Sequence, residues 1–443
     1  MDKTKKIQDE DKNYYRLRKY VDFMFKSAYR RGEYHHGQEK IPQDGAIIYA
    51  PNHTNTLMDA LAVLVMNKPA KVFVARADVF KNPTILELLT FLKMLPINRK
   101  RDGANNLVTK NEELSDIVVD VLRDKVPFCI LPEGTHRAMH SLLPLQKGIF
   151  RIAMQANDAF GNKMPVYIVP VGIEYGHFFR YRSSILLQVG DPINVTQFIN
   201  EHPQLSVPQQ INVLRDELAA RLKKVILQIP DNDNYNATLE LSQLWGNEQQ
   251  RKLKLNKNTL ISRFLAAKET VKNIEISLQT NPQETQQLLD MAEDFSRKRR
   301  ALGIGMESVL QSHLRLNIVK KLFFLLLGLP YFVFSAVVTS PVTLLSVWLC
   351  SKFKDRAFHN TVRYLISFVL LPVLLLFFGT TAFIVFPWVW GLVFVLLFLP
   401  SFFFLHEYLR LMRLLISDVK WLGHRGLRRE LRNIKKCRVL FDK

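Results

Sequence analysis

The chain has 443 residues, 48% of them hydrophobic, and a formal net charge of +21. That is enough for two or three structural units, and cationic residues spread along the whole chain favour anionic partners such as phospholipid headgroups, phosphorylated substrates or nucleic acid. The three cysteines, Cys129, Cys350 and Cys437, lie far apart and give neither a disulfide framework nor a metal-ligand spacing.

Met1 to Asn13 is charged and has no apolar core, so no cleavable signal is expected. Asp9 to Arg31 reads as an amphipathic helix, with Leu17, Tyr20, Val21, Met24, Phe25 and Ala28 at three- and four-residue spacing and Arg16, Arg18, Lys19, Lys26, Arg30 and Arg31 between them. This N-terminal element, residues 1–32, suits a membrane interface or packing on the domain that follows.

Residues 33–229 alternate strand and helix patterns. The expected strands are Ala46–Ala50, Val72–Ala75, Pro127–Leu131, Val166–Val171 and Ile185–Val189. The expected helices are Thr56–Met66, Pro83–Met94, Glu112–Asp124, Leu145–Asn157 and Gln209–Leu227. The alternation predicts an α/β domain with a mostly parallel sheet flanked by helices, in which ligands collect at the carboxyl ends of the strands.

Residues 230–319 are polar and charged. Leu253–Leu278 and Gln283–Arg300 read as surface helices of a helical insertion, with Gly303 and Gly305 as a joint. Two uncharged runs follow, Leu322–Cys350 of 29 residues and Leu365–Leu405 of 41. A bilayer core needs about 20 apolar residues in a helix, so residues 320–405 form a membrane region, and membrane spans leave a nucleic-acid partner out of the reading. The longer run predicts a helical hairpin turning near Gly379-Thr380-Thr381. The shorter, interrupted by Pro330 and Pro341, predicts a broken segment that returns to its own side, with one tilted span as the rival. Lys320-Lys321, the stretch Lys352 to Arg363 and the tail 406–443 are all basic, which predicts a cytoplasmic face for these flanks and for the α/β domain.

Chemistry-bearing residues stand at the expected strand ends. The strand Ala46–Ala50 runs into Pro51-Asn52-His53, and Asp59 falls in the first turns of the next helix. A carboxylate beside an imidazole fixes its tautomer and stabilises its cation, which is what removal of a proton from a hydroxyl requires. The strand Pro127–Leu131 runs into Pro132-Glu133-Gly134-Thr135-His136-Arg137, a carboxylate and a tight turn at the same edge. Lys147-Gly148 opens a helix whose amides favour an anion. Leu95-Pro96-Ile97-Asn98-Arg99 places an arginine suited to a phosphate at another strand end, and Val169-Pro170-Val171 closes a further one.

In order and spacing these four blocks resemble the glycerolipid acyltransferase superfamily, the glycerol-3-phosphate and lysophosphatidate acyltransferases: Asn52, His53 and Asp59; Pro96 to Arg99; Pro132 to Thr135; Val169 to Val171. The resemblance covers roughly residues 33 to 227. Five residues, Thr54 to Met58, separate His53 from Asp59 where the family usually has four, as in some glycerol-3-phosphate acyltransferases. His136 stands where the family commonly has arginine, with Arg137 one place later.

The resemblance implies acyl transfer from a thioester, acyl-CoA or acyl carrier protein, to a hydroxyl of glycerol 3-phosphate or lysophosphatidate. His53 would act as general base and Asp59 would orient it. Arg99, Glu133, Gly134, Thr135, Arg137 and Lys147 would hold the phosphorylated acceptor, and backbone amides near the helix start would meet the oxyanion. No cofactor beyond the donor substrate and no metal is implied. Anionic membrane lipids are the further partners expected. The competing reading, a non-catalytic membrane scaffold binding anionic lipids, leaves His53, Asp59 and Glu133 at strand ends without a role.

Overall fold

The structure is a computed structural model that describes residues 6–98, 107–161, 163–256 and 259–437. It divides into two compact units. The first comprises Met1–Ile226 with Asp355–Tyr364, and the second Leu227–Lys354 with Leu365–Lys443.

The first unit runs α1 (Lys12–Ala28), β1 (Tyr29–His36), β2 (Ala46–Pro51), α2 (Leu57–Met66), β3 (Val72–Arg76), α3 (Pro83–Phe91), β4 (Met94–Ile97), α4 (Leu107–Arg123), β5 (Phe128–Cys129), α5 (Gly148–Phe160), β6 (Val166–Tyr175), β7 (Ser183–Val189), β8 (Ile193–Asn194), α6 (Val195–Glu201) and α7 (Val207–Val225). The strands form one sheet in the order β1-β7-β6-β2-β5-β3-β4, with β8 beside β6. From β6 to β4 every neighbouring pair is parallel, and β7 and β8 run antiparallel to β6. This is the α/β class expected.

Strand β2 is central, and all six of its residues are buried because both sheet faces are covered. Ala46, Ile48 and Ala50 enter one core with α4, α5 and α7. Tyr49 points the other way, and its hydroxyl accepts a hydrogen bond from Asn67 Nδ2 at the end of α2, at 3.0 Å. The turns after β2, β4 and β5 therefore open on the same sheet edge.

The N-terminal helix stops at Ala28, three residues before the expected Arg31. Tyr29 takes extended angles and pairs with Ser183, and the Arg182 amide donates to the Ala28 carbonyl at 2.8 Å. Edge pairing with β7 outweighs the helical periodicity there. Strand β6 runs on to Tyr175, four residues past the expected end, and β5 is only two residues long.

In the second unit α8 (Tyr235–Leu244), α9 (Gly246–Lys252), α10 (Leu260–Thr280), α11 (Pro282–Ala301) and α12 (Met306–Leu310) are not the surface helices expected. Of these, α8, α10, α11 and α12 share a core that contains Leu241, Trp245, Ile274, Leu288 and Phe295. Within it Arg299 grips Glu240 through two bonds of 2.6 Å, and Ser296 donates to the same carboxylate at 2.9 Å.

Three further helices, α13 (Leu314–Lys352), α14 (Phe358–Val385) and α15 (Trp388–Gly423), are long and apolar enough to cross a membrane, and α16 (Arg425–Lys436) follows. Two expectations fail here. The run Leu322–Cys350 is not broken: α13 is continuous over 39 residues with Pro330 and Pro341 inside it. Pro341 has no N–H for the Val337 carbonyl, and the Ser340 hydroxyl donates to that carbonyl instead, at 2.8 Å. Nor does the longer run turn at Gly379. The Thr380 and Thr381 hydroxyls donate back to Leu376 and Phe377 at 2.7 and 2.8 Å while the helix continues, and the turn falls at Phe386-Pro387, where proline has no helical N–H.

Candidate active site

The site begins where β2 ends. The Asn52 side chain forms an extra rung to β6: its Nδ2 donates to the Ile173 carbonyl at 3.1 Å, and its Oδ1 accepts from the Ile173 amide at 2.7 Å. That fixes the exit of the chain toward His53. Asp59 lies in the first turn of α2, fully buried, and its Oδ2 stands 2.8 Å from His53 Nδ1. The same oxygen accepts from the Thr54 and Asn55 amides at 2.8 and 2.7 Å, while Oδ1 accepts from the Tyr175 hydroxyl at 2.7 Å.

Four donors converge on one carboxylate, so its charge is met in place. An ionised carboxylate only accepts, so Nδ1 of His53 carries the hydrogen and Nε2 carries the lone pair. The His53 side chain keeps 17% of its surface exposed, which leaves the imidazole reachable from outside. Burial, then the Asp59 charge, push the Tyr175 hydroxyl well above its ordinary pKa, so it stays a donor.

Thr56, the residue before α2, has φ +49° and ψ −126°, a conformation that a β-branched residue resists. Its hydroxyl lies 2.7 Å from that of Thr361 and donates to the Ala357 carbonyl at 3.3 Å. Both partners come from the stretch 355–364, which belongs to this unit.

Glu133 corrects an expectation. Its Oε1 accepts from the His53 amide at 2.6 Å and its Oε2 from the Leu143 amide at 2.9 Å. Both oxygens are engaged inside the protein, and a carboxylate repels a phosphate, so Glu133 ties the His53 turn to the Leu143 turn rather than holding an anion. Burial pushes its carboxyl up to about 7, against the pull of these two amides and of His53, with Asp59 adding to the rise. Gly134 has φ +64°, and a Cβ there would stand 3.0 Å from Gln146 Cγ. Its turn is closed by the Gly134 amide on the Leu131 carbonyl at 3.2 Å, and the Gln146 amide donates to the Pro132 carbonyl at 2.7 Å.

Of the remaining candidates, Thr135 is half-buried in the same turn. Arg137 sends its amide to the His53 carbonyl at 3.2 Å, which sets it beside the imidazole turn. Lys147 is exposed at the start of α5. Arg99, with Lys100, Arg101 and Asp102, lies outside the described residues. The amides of His53, Thr54 and Asn55 are all engaged within the protein. Among the described residues no group of three or more His, Cys, Asp or Glu side chains could hold a metal ion.

The motifs did not point to Asn52 as a rung, to Tyr175 or to the stretch 355–364. Tyr175 lies 116 residues from Asp59 and Thr361 lies 305 from Thr56, and no local pattern carries such pairings.

Residues 34–174 match the family profile of acyltransferases. The first unit carries an acyltransferase-family domain. A 123-residue stretch is 32% identical to glycerol-3-phosphate O-acyltransferase 2 of Saccharomyces cerevisiae, over 28% of this chain and 16% of that protein. A 151-residue stretch is 25% identical to the 1-acyl-sn-glycerol-3-phosphate acyltransferase of Cocos nucifera, over 34% of this chain and 44% of that one. The chain thus spans less than half the length of either relative. The crystal structure of the 1-acyl-sn-glycerophosphate acyltransferase PlsC from Thermotoga maritima aligns over 49% of this chain and 81% of its own, with 20% identity and a TM-score of 0.34. The acyltransferase-family stretch begins within β1 and ends in β6, so it encloses His53, Asp59 and the Glu133 turn.

Proposed function

We propose that this chain is a membrane-bound O-acyltransferase that moves a fatty acyl group from a thioester to a hydroxyl of glycerol 3-phosphate or 1-acylglycerol 3-phosphate, in phospholipid synthesis. The observation that carries the reading is the His53–Asp59 pair: an accessible imidazole whose Nδ1–H is locked on a buried carboxylate, leaving Nε2 to accept a proton.

An alcohol is a poor nucleophile at neutral pH. His53 Nε2 takes its proton as the oxygen attacks the thioester carbonyl, and Asp59 stabilises the imidazolium that forms. The tetrahedral adduct collapses by breaking the carbon–sulfur bond. The thiolate leaves and receives the proton from Nε2, so the products are an ester and a free thiol. The acceptor hydroxyl takes the nucleophile's place, and no covalent enzyme intermediate is needed. Arg137, beside His53, and Lys147 on the start of α5 supply positive charge for the acceptor phosphate and the donor, together with Arg99. Gly134 and Thr135 shape the turn between them. The basic stretch from Lys352 to Arg363, most of which belongs to the first unit, supports a cytoplasmic placement of the domain, where soluble thioester donors are found.

The test is full-length protein in vesicles with an acyl thioester and a panel of acceptors, read by thiol release and product analysis. Thiol release that requires a phosphorylated glycerol and yields its ester is the expected result. No acceptor-dependent release from any glycerol phosphate would overturn the reading.

A further inference from the structure

The connection between α13 and α14 is short, yet it and the first turns of α14 are built into the first unit. Ala357, Asn360, Thr361 and Tyr364 are all buried. Asn360 Nδ2 donates to the Phe178 carbonyl, the same carbonyl that accepts from Asn55 Nδ2, and Arg363 donates to the Phe179 carbonyl at 3.0 Å. The Tyr364 hydroxyl reaches the Val21 carbonyl on α1 at 3.3 Å. These bonds hold the stretch down on two separate parts of the unit, the 178–179 turn and α1.

Two of its residues touch the groups on either side of His53. Thr361 meets the Thr56 hydroxyl at 2.7 Å, and Thr56 is the left-handed residue from which α2, with Asp59, departs. Such a conformation is costly for a β-branched residue and persists only where surroundings enforce it. Asp355 meets His136 Nε2 at 2.7 Å, and the His136 ring stands edge-on to that of His53 with centroids 5.5 Å apart. Asp355 is itself held: the Ala357 amide donates to its Oδ1 at 2.9 Å. Phe358 packs on the far side of the His136 ring at 5.3 Å.

We propose that Thr361 and Asp355 are positioning residues of the acyl-transfer site, so that the link between two apolar helices, with the first turn of α14, forms one wall of it and acts on His53 through Thr56 and His136. The inference rests on the acyltransferase reading for its kinetic effect but not for its geometry. A transferase whose site is walled by such a link has its working geometry only while that link is docked.

The experiment has two readouts on the full-length protein in vesicles. In a background with the three native cysteines replaced, Thr56→Cys paired with Thr361→Cys should form a disulfide rapidly under mild oxidation, as bridging requires close Cα atoms. Failure to cross-link would overturn the docking. In the kinetic arm, Thr361→Val should lower kcat roughly five- to tenfold, about the worth of one hydrogen bond, with KM for donor and acceptor unchanged. Thr361→Ser, which keeps the hydroxyl, should recover most of that loss. Equal kcat for Thr361→Val and wild type, or no recovery by serine, would overturn the positioning role. A rapid cross-link in the double variant, together with no acyl transfer by the wild-type protein, would instead sink the acyltransferase reading and leave the docking standing.

Discussion

Two imidazole–carboxylate pairs lie side by side in the first unit, His53–Asp59 at 2.8 Å and His136–Asp355 at 2.7 Å, and their near-equal lengths hide different physics. Asp59 is fully buried and accepts from three donors besides His53, so it stays fixed whether or not the imidazole is there. Asp355 keeps 54% of its side-chain surface exposed. Burial raises its carboxyl, but the Ala357 amide and His136 outweigh that and hold it below the usual carboxylate pKa. Exposed pairs are screened by salt and contribute about 0–1 kcal/mol, whereas a preorganised buried charge acts at low dielectric. The first pair suits proton transfer and the second suits holding a neighbour in place.

The largest difference between them should be kinetic. His53→Ala should cut acyl transfer by roughly 10²- to 10⁴-fold, the worth of general base catalysis, with the fold retained because Asp59 keeps three donors. A His53→Ala protein that transfers acyl groups at near wild-type rate would remove the mechanism. Asp59→Asn tests the charge apart from the geometry. The two amides demand an acceptor, so the new side chain turns its oxygen to them and to Nδ1–H, and its NH2 meets the Tyr175 hydroxyl. The tautomer is kept and only the charge is lost. The expected loss is about 10- to 150-fold, the span of one charge-assisted bond. A loss as large as that of His53→Ala would mean that the tautomer fails as well.

Asp355→Asn should cost roughly fivefold or less in kcat, and the deficit should shrink between low salt and about 0.5 M salt, because half-exposed charges are screened. The Asp59→Asn deficit should not change with salt. Parallel salt dependences of the two variants would show that both carboxylates act in the same environment.

Glu133 predicts a pH effect on stability rather than on rate. Its carboxyl stands at about 7 in the folded protein against an ordinary 4.5, so the folded state binds the proton more tightly. The contribution is present in full below the unfolded value and is lost as pH rises through 7. A shift of that size is worth about 3 kcal/mol. Wild type should therefore lose ground relative to Glu133→Gln between pH 5 and 8, measured as the difference in unfolding midpoint. A difference that stays flat over that range would mean that Glu133 titrates as in the unfolded chain.

Accessibility gives the smallest signal and a plain answer. Glu10→Cys and Lys354→Cys, each alone in a cysteine-free background, should react equally with an impermeant maleimide in sealed vesicles. The first precedes α1, and the second adjoins the docked connection. Opposite labelling would remove residues 355–364 from the first unit.

What could be read in the sequence was what lies close along the chain. His53 and Asp59 share one strand–turn–helix step, and the turn at Gly134 announces itself because few residues accept its φ. The same turn misled in one respect: a glutamate at a sheet edge looks like part of an anion site until the His53 and Leu143 amides are found on it. Tyr175 was invisible, being one more residue of a strand whose register on β2 no local pattern sets. Pro341 suggested a break in the apolar run, and the hydroxyl that offsets it stands just before it, at Ser340, a residue type too common in such helices to be diagnostic.

The interleaving of the first unit has a consequence for how the molecule is made. Its sheet is complete at β8, but one wall of its site is encoded beyond Asp355, about 130 residues after α7 leaves the ribosome. At roughly 5–20 residues per second that gap lasts on the order of ten seconds. Throughout it the nascent α/β domain has its His53 and Asp59 but no Thr361 for Thr56 and no Asp355 for His136. The last parts arrive only with the link that follows α13, so a chain stalled or cleaved before residue 355 would be a folded but misaligned domain. Assembly order thus confines the finished site to chains whose first long apolar helix has already been synthesised.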